Sequence, residues 1–319
     1  MVRTAAKTGI HRDIKMSKGP AFRTDFMPAH GRPVEVAPDV FRVTVNNPGP
    51  FTFHGTNSYL VGRKRLAIID PGPDDAMHLD ALKDAIGGRP VDRILVTHTH
   101  VDHSPLARKL AELTGASIVG EGPHRPARQL HIGETNPLDA SGDREFAPTQ
   151  RVGDGDRIEG EEWQFEAVFT PGHTANHMCY ALADTGILFS GDHVMAWSTS
   201  IVAPPDGAMS DYMASLETLL RRRDRLYLPG HGGELEQPRD FVRALRTHRR
   251  MREAAIVNRI EAGDRTIPEI VRSIYRDIDV RLHGAASLSV LAHLEDLVAK
   301  GRIRSDGPAS IGGRFDPAG

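Results

Sequence analysis

The chain has 319 residues, of which 39% are hydrophobic and 26% charged, and its formal net charge is −2. This composition is typical of a folded globular protein, and the near-neutral charge excludes a global basic field for nucleic acid. The single cysteine, Cys179, excludes an internal disulfide framework. No apolar run approaches the roughly 20 residues of a membrane span. We therefore expect a cytoplasmic protein without membrane association.

The first two thirds of the chain alternate between predicted strands and helices. Residues 1–38 are polar and interrupted by glycine and proline, which predicts an N-terminal arm. Helical patterns at 74–88 and 104–115 lie between short apolar runs, and this mixture indicates an α/β layered domain over 39–236. Long loops are predicted at 121–151 and 198–217. The predicted strands are 41–45, 58–62, 65–70, 93–97, 116–120, 163–170, 178–183, 186–192 and 225–230.

After about residue 236 the predicted strands give way to helical patterns. Residues 239–263 are a basic amphipathic helix or helix pair, and residues 285–303 carry an apolar stripe at helical spacing. The helix predicted at 266–278 begins with a capping box formed by Thr266 and Glu269. Helices followed by a short β-hairpin are the outline of a winged helix. We therefore predict a helical, winged-helix-like domain over 237–319.

The densest group of titratable side chains is the stretch VTHTHVDHSP, at 96–105. It follows an apolar, β-branched strand, and ligands of α/β sheets usually bind at the C-terminal ends of strands. Neutral imidazole and carboxylate are ligands that Zn²⁺ prefers. One mononuclear site built from so short a segment would be strained, whereas two neighbouring metals can share it. The motif supplies four candidate ligands: His98, His100, Asp102 and His103.

Three more predicted strands end in a residue that can bind a metal. The stretches TPGHTANH, FSGDHV and LPGHGG present His173, Asp192 and His231 beside residues that form tight turns. The alternative is a solvated, histidine-rich loop. Four separate strand ends that each supply a metal-capable side chain make that alternative a poor explanation.

The order and spacing of these residues resemble the metallo-β-lactamase superfamily over about residues 40–235, and most of the chain is similar to its lactamase-beta-2-like family. The resemblance implies an αββα sandwich followed by the winged-helix-like domain. It implies one metal held by His98, His100 and His173. A second metal would be held by Asp102, His103 and His231, with Asp192 bridging the two. Asp70 and His177 would support these ligands from behind.

The implied cofactors are two Zn²⁺ ions per subunit, with Fe²⁺ or Mn²⁺ as alternatives. Two neighbouring cations lower the pKa of a shared water from about 15.7 toward about 7, which provides a bridging hydroxide as the nucleophile. Asp102 is the candidate catalytic residue, because it can orient this nucleophile or accept its proton. His54, Asn57 and Tyr59 are predicted to line the substrate cleft, and Trp197 to form one of its walls.

The sequence leaves the substrate open. Characterised members of the similar family imply a hydrolase of single-stranded RNA, which arginines at 221–225 and 246–252 and on the wing (Arg302, Arg304 and Arg314) would guide. A solvated helix face is the alternative for each charge run. Fungal relatives imply instead a thioesterase that releases polyketides from a carrier protein. The alternative to RNA is therefore an acyl hydrolase of thioester, lactone or glyoxalase II-like substrates, with β-lactam hydrolysis at most a side activity. A nucleic-acid-binding module that acts through the winged helix is a third hypothesis, and a homo-oligomer also stays open.

Overall fold

The computed structural model describes residues 19–136, 138–276, 279 and 282–319. Its first sheet contains seven strands that neighbour one another in chain order. The last four of them run parallel, so their C-terminal ends meet at one edge. The strands are β1 (Val34–Ala37), β2 (Val40–Thr44), β3 (Asn57–Val61), β4 (Leu66–Ile69), β5 (Val91–Leu95), β6 (Ser117–Gly120) and β7 (Gln150–Arg151).

The second sheet contains six strands in the order β13-β12-β11-β10-β9-β8. β11 and β12 are parallel, while β9 to β11 form an antiparallel meander, so β9, β11 and β12 end at the same edge. The strands are β8 (Arg157–Glu159), β9 (Gln164–Phe169), β10 (Met178–Leu182), β11 (Ile187–Gly191), β12 (Leu226–Pro229) and β13 (Leu235–Glu236).

The two sheets pack face to face and helices cover their outer faces. Tyr59 and Ile69 of the first sheet and Phe165 and Phe189 of the second belong to one buried apolar cluster between the sheets. The helices α1 (Ala76–Ile86) and α2 (Leu106–Thr114) cover the first sheet, and α3 (Met209–Arg221) and α4 (Pro238–Glu261) cover the second. The predicted αββα sandwich is therefore confirmed.

The C-terminal part is a small helical unit with its own apolar core. It contains α5 (Ile267–Ile274), α6 (His283–Ala299) and a hairpin of β14 (Ile303–Ser305) and β15 (Phe315–Pro317). Its core includes Ile256, Ile270, Leu294 and Phe315. The predicted capping box at the start of α5 is present, with both of its hydrogen bonds. The winged-helix prediction is confirmed.

Three details differ from the prediction or refine it. The segment 198–217 is not a loop throughout, because α3 begins at Met209 and buries Tyr212 and Leu216 against the second sheet. The end of the predicted arm forms the edge strand β1. The basic pattern at 239–263 is a single helix, α4.

The first half of α4 packs in the core of the αββα sandwich and its second half packs in the winged-helix core. The boundary at 236/237 stays a prediction, since one continuous helix belongs to both cores. Within the described residues, no helix is both long and apolar enough to cross a bilayer.

Candidate metal centre

All seven predicted ligands lie at the shared edge of the two sheets, just beyond strand ends. β5 leads into the histidine-rich motif, β9 into His173, β11 into Asp192 and β12 into His231. A hydrogen bond from Met178 N to Thr97 O and another from Asn57 N to Gly230 O join the two sheets at this edge. The parallel strand directions therefore bring together residues that are up to 133 positions apart, from His98 to His231.

The first group of donors consists of His98, His100 and His173. Nε2 of His98 and Nε2 of His173 each lie 3.0 Å from Nδ1 of His100. A tetrahedral shell with Zn–N distances of about 2.0–2.1 Å places neighbouring ligand atoms about 3.3 Å apart. The spacing of the three nitrogens therefore fits one small divalent cation.

The second group consists of Asp102, His103 and His231. Oδ2 of Asp102 lies 3.3 Å from Nε2 of His103 and 3.2 Å from Nε2 of His231. The two imidazole nitrogens are 3.3 Å apart. These three atoms form a second triangle of the size expected for metal ligands.

Asp192 lies between the two groups and reaches both. Its Oδ2 is 3.7 Å from Nε2 of His173 and 3.3 Å from Nε2 of His231. Its Oδ1 is buried and accepts no hydrogen bond from any described residue. A buried carboxylate oxygen without a donor requires a positive partner. The spacing of the donor atoms is therefore compatible with two divalent metals, and the bridging role of Asp192 stays a prediction.

The outer Nδ1 nitrogens of His173 and His231 face backbone carbonyl oxygens, whereas the outer Nε2 of His100 is buried and has no hydrogen-bond partner among the described residues. Nδ1 of His173 lies 2.6 Å from Ile201 O, and Nδ1 of His231 lies 3.2 Å from Gly55 O. Such contacts place the proton on Nδ1 and leave the Nε2 lone pair directed into the site. The tautomers suited to metal binding are therefore set by the surrounding backbone.

Asp70, predicted to stand behind the ligands, contacts both halves of the motif. Its carboxylate accepts hydrogen bonds from Thr97 N and Thr97 Oγ1, each at 2.7 Å, and its Oδ2 lies 3.0 Å from Nδ1 of His103. The Thr97 hydroxyl is in turn 3.0 Å from Nδ1 of His98. One carboxylate thus orients a ligand of each metal position.

His177 is buried and acts on Asp192 through the backbone. Its Nε2 accepts a hydrogen bond of 3.2 Å from Asp192 N, while its Nδ1 lies 2.9 Å from Thr170 Oγ1. His177 thus contacts the backbone of a candidate ligand, and its supporting role stays a prediction. Cys179 is also buried, and its Sγ contacts the same threonine at 3.2 Å.

Burial and neighbouring charges give the two metal positions different protonation behaviour. Burial and, to a smaller extent, the adjacent imidazole of His173 lower the pKa of His100 to about 3. At the second position burial also opposes the charged form of His231, but Asp192 and Asp102 outweigh it and raise its pKa to about 9. The first position therefore presents neutral imidazoles at neutral pH, whereas the second concentrates the negative charge that attracts a cation.

Two glycines let the strand ends approach the ligands closely. A Cβ at Gly230 would lie 2.5 Å from Asp192 Oδ1 and 2.6 Å from His103 Cε1. A Cβ at Gly191, whose φ is 48°, would lie 2.6 Å from His177 Nε2. Any side chain at these positions would displace a ligand or its support.

The predicted lining of the substrate cleft is partly corrected. Asn57 and Tyr59 are buried and are not among the described residues that line the cavity above the ligands. Asn57 Nδ2 donates to Pro229 O and Gly232 O, and Tyr59 Oη donates to Pro229 O at 2.7 Å. Both residues lie on β3 of the first sheet, opposite the end of β12 in the second sheet. Their hydrogen bonds therefore hold the turn that carries His231.

His54 is also absent from the cavity wall in the described part of the chain, whereas Trp197 lines it as predicted. The His54 ring packs against Phe53 and Phe26, and its carbonyl oxygen lies 2.7 Å from Nε2 of His30. Phe53 in turn stacks on Trp197 with ring centroids 4.7 Å apart. His54 therefore supports the wall from behind.

The sequence reasoning missed several residues that contact the site. Thr56 Oγ1 donates to Asp102 Oδ2 at 3.0 Å, and Ser200 Oγ donates to the carbonyl oxygen of Asp192. The first two turns of α6 contribute Ala285 and Leu288 to the cavity wall. Only Thr56, in the run HGTNSY next to the predicted cleft residues, carried a local signal.

Residues 51–231 match the metallo-beta-lactamase superfamily, and residues 266–310 match the beta-lactamase associated winged helix domain. A Beta-lactamase-like protein 2 homolog of Drosophila melanogaster is 29% identical over 281 residues, which cover 83% of this chain and 89% of that protein. An Atrochrysone carboxyl ACP thioesterase of Passalora fulva is 31% identical over 255 residues, which cover 76% of this chain and 69% of that protein.

The fold agrees with these matches. The crystal structure of a beta-lactamase domain protein from Burkholderia ambifaria superposes with a TM-score of 0.76 at 25% identity, covering 92% of this chain and 96% of that one. The superfamily match spans more than half of the chain and includes every predicted ligand. The chain therefore belongs to the metallo-β-lactamase superfamily and is a hydrolase of that fold with an associated winged-helix domain.

Proposed function

We propose that this protein is a zinc-dependent acyl hydrolase whose substrates are thioesters with an apolar acyl group. The observation that carries the proposal is the cavity of about 530 Å³ into which the ligand cluster opens. Its size lies in the range of small-molecule sites. Its wall is mostly apolar and includes Phe51, Val101, Leu138, Met195, Ile201 and Leu288.

This lining suits an acyl chain better than a phosphodiester strand. No lysine or arginine is among the described residues of the cavity wall. A polyanion needs cations along its path, whereas an acyl group is stabilised by apolar surface removed from water. The thioesterase among the relatives is consistent with this substrate class.

Several arginines near the site are paired with carboxylates, whereas Arg221, Arg223 and Arg225 are exposed and lie outside the cavity wall. Arg222 pairs with Glu166 at 2.9 Å, and Arg246 and Arg250 pair with Glu217 at 2.7 and 3.1 Å. The wing arginines are exposed but do not line the cavity. The single-stranded RNA hypothesis therefore finds no support in the geometry of these side chains.

We assign one Zn²⁺ to His98, His100 and His173 and one to Asp102, His103 and His231, with Asp192 shared between them. When bound, the ions supply an activated water and a Lewis acid for the acyl carbonyl. Asp102 lines the cavity with about a quarter of its side chain exposed (23%), and Thr56 Oγ1 and the two imidazoles fix its orientation. It is thus placed to accept the proton of the attacking water. The apolar wall holds the acyl chain and keeps bulk water away from the carbonyl.

The test is hydrolysis of decanoyl and benzoyl N-acetylcysteamine thioesters by the zinc-loaded protein, with a labelled single-stranded RNA assayed in parallel. We expect thioester cleavage that chelation abolishes and that falls at least about 1,000-fold in Asp192→Ala. The control is Asp240→Ala, which removes a carboxylate that is 85% exposed and leaves the cavity unchanged. RNA cleavage that depends on Asp192, without thioester cleavage, would overturn the acyl assignment.

A further inference from the structure

α4 carries a buried arginine that the metal ligands and the cavity wall do not directly use. Arg249 is only 4% exposed, although it belongs to a run of basic residues whose neighbour Arg250 has 61% of its side chain exposed. No ion pair joins its guanidinium to a carboxylate of the described residues. A buried, always-charged group without an acidic partner is costly and requires well-placed acceptors.

Those acceptors lie in the segment that leads away from Asp192. Nη2 of Arg249 donates to the carbonyl oxygen of Ser200, and Nη1 lies 3.3 Å from Ser289 Oγ on α6. The guanidinium carbon also lies 5.1 Å from the ring centroid of Tyr212 on α3. The arginine therefore joins three helices to a single point of the backbone at residue 200.

That point of the backbone holds two of the metal ligands. Ser200 Oγ donates to the carbonyl oxygens of Asp192 and His193, the latter at 2.8 Å. The next carbonyl oxygen, that of Ile201, lies 2.6 Å from Nδ1 of His173. Residues 200 and 201 thus set the position of the shared carboxylate and the tautomer of one imidazole.

We propose that Arg249 is a positioning residue for the metal centre, acting through Ser200 and Ile201 on Asp192 and His173. The planar guanidinium fork can bond Ser200 and Ser289 at once while its face lies against Tyr212, and a lysine ammonium cannot reproduce this geometry. The long helix that leads into the winged-helix domain therefore contributes to metal binding, although none of its side chains is a ligand.

The experiment measures Zn²⁺ affinity of the full-length protein by competition with a chromophoric chelator, together with the visible spectrum of the Co²⁺-loaded form. We expect Arg249→Met to lower the affinity for at least one ion by about 10- to 100-fold, as for other groups that orient ligands. The Co²⁺ spectrum should change with it, and Arg249→Lys should recover only part of the affinity. Arg250→Met is the matched control, one position along the same helix, and should leave both readouts unchanged.

Ser200→Ala provides a second variant if Arg249→Met does not fold, since it removes only the hydroxyl that bonds Asp192 O and His193 O. It should also weaken Zn²⁺ binding. Wild-type affinity and an unchanged Co²⁺ spectrum in folded Arg249→Met, or in Ser200→Ala when the first variant does not fold, overturn the proposal. It rests on the ligand set of the proposed function. A wild-type protein that binds no divalent metal refutes that ligand set, whereas metal binding indifferent to these substitutions refutes only the role of Arg249.

Discussion

Asp70 shows how one buried side chain organises a site without touching the substrate. It is 2% exposed and its backbone has a φ of 50°, a left-handed conformation that aspartate tolerates better than most residues. Its two oxygens accept hydrogen bonds from Thr97 and face the outer nitrogen of His103. These contacts fix the motif between β5 and α2 before any metal binds.

Asp70→Asn keeps the shape of the side chain but replaces one acceptor oxygen with a donor. We expect Zn²⁺ affinity to fall by about 10- to 100-fold, because either the Thr97 hydroxyl or the His103 ring loses its acceptor. The measurement is chelator competition, with Asp80→Asn on the exposed face of α1 as the control. Unchanged affinity in a folded Asp70→Asn variant would show that the ligands are oriented without this carboxylate.

At the scale of elements, α6 has two roles that come from its two ends. Its first two turns place Gly284, Ala285 and Leu288 in the wall of the active-site cavity. Further along, Val290, Leu291 and other apolar residues build the winged-helix core together with α5. The position of the wall therefore depends on how the winged-helix core packs, and we expect the C-terminal domain to take part in substrate selection.

Enlarging Leu288 should narrow the cavity and change which acyl chains fit. We expect Leu288→Trp to reduce kcat/KM for a decanoyl thioester by about 10- to 200-fold, since small changes in apolar pockets have effects of that size. Cleavage of an acetyl thioester should change little, because a short chain does not reach α6. Leu113→Trp, at a position 60% exposed on α2, is the control. Equal losses on both thioesters would place the acyl chain elsewhere.

At the scale of the whole molecule, the αββα sandwich and the winged-helix domain are in contact through buried basic side chains. His293 on α6 is buried, and neither of its ring nitrogens has a hydrogen-bond partner among the described residues. Burial and, to a smaller extent, the neighbouring Arg249, Arg252, His248 and Lys300 lower its pKa to about 3. A histidine that stays neutral here makes the folded state sensitive to acid.

The direction of this sensitivity follows from proton binding. Below about pH 6.5 the unfolded chain binds a proton at this histidine that the folded chain does not, so its contribution to stability is lost as pH falls. Between pH 6.5 and pH 5, we expect the unfolding free energy of the wild type to fall by about 2 kcal/mol more than that of His293→Leu. Urea unfolding at the two pH values measures this, with His131→Leu on the 121–151 loop as the control. Parallel losses in wild type and His293→Leu would contradict the assignment.

Much of the fold and the ligand set could be predicted from local sequence. Strand-like runs that end in HTHVDH, PGH, GDH and PGH carry both the secondary structure and the ligands on the same short segments. The C-terminal ends of parallel strands lie at one edge of a sheet. Residues just beyond these ends are therefore expected to lie close to one another. The capping box at Thr266 was predictable for a similar reason, because its hydrogen bonds span only three residues.

Only the tertiary structure decided what surrounds the ligands. Asn57 and Tyr59 lie close in sequence to the cleft but face the His231 turn, because β3 lies opposite β12 at the edge where the sheets meet. Arg249 and Arg250 are neighbours in a uniformly basic run, yet one is buried and the other is exposed. Helical periodicity indicates which residues share a face of the helix. Which other element packs against that face depends on contacts between distant parts of the chain. For that reason the candidate metal ligands could be predicted from the sequence, while the cavity wall and the buried arginine follow from the packing of α3, α4 and α6.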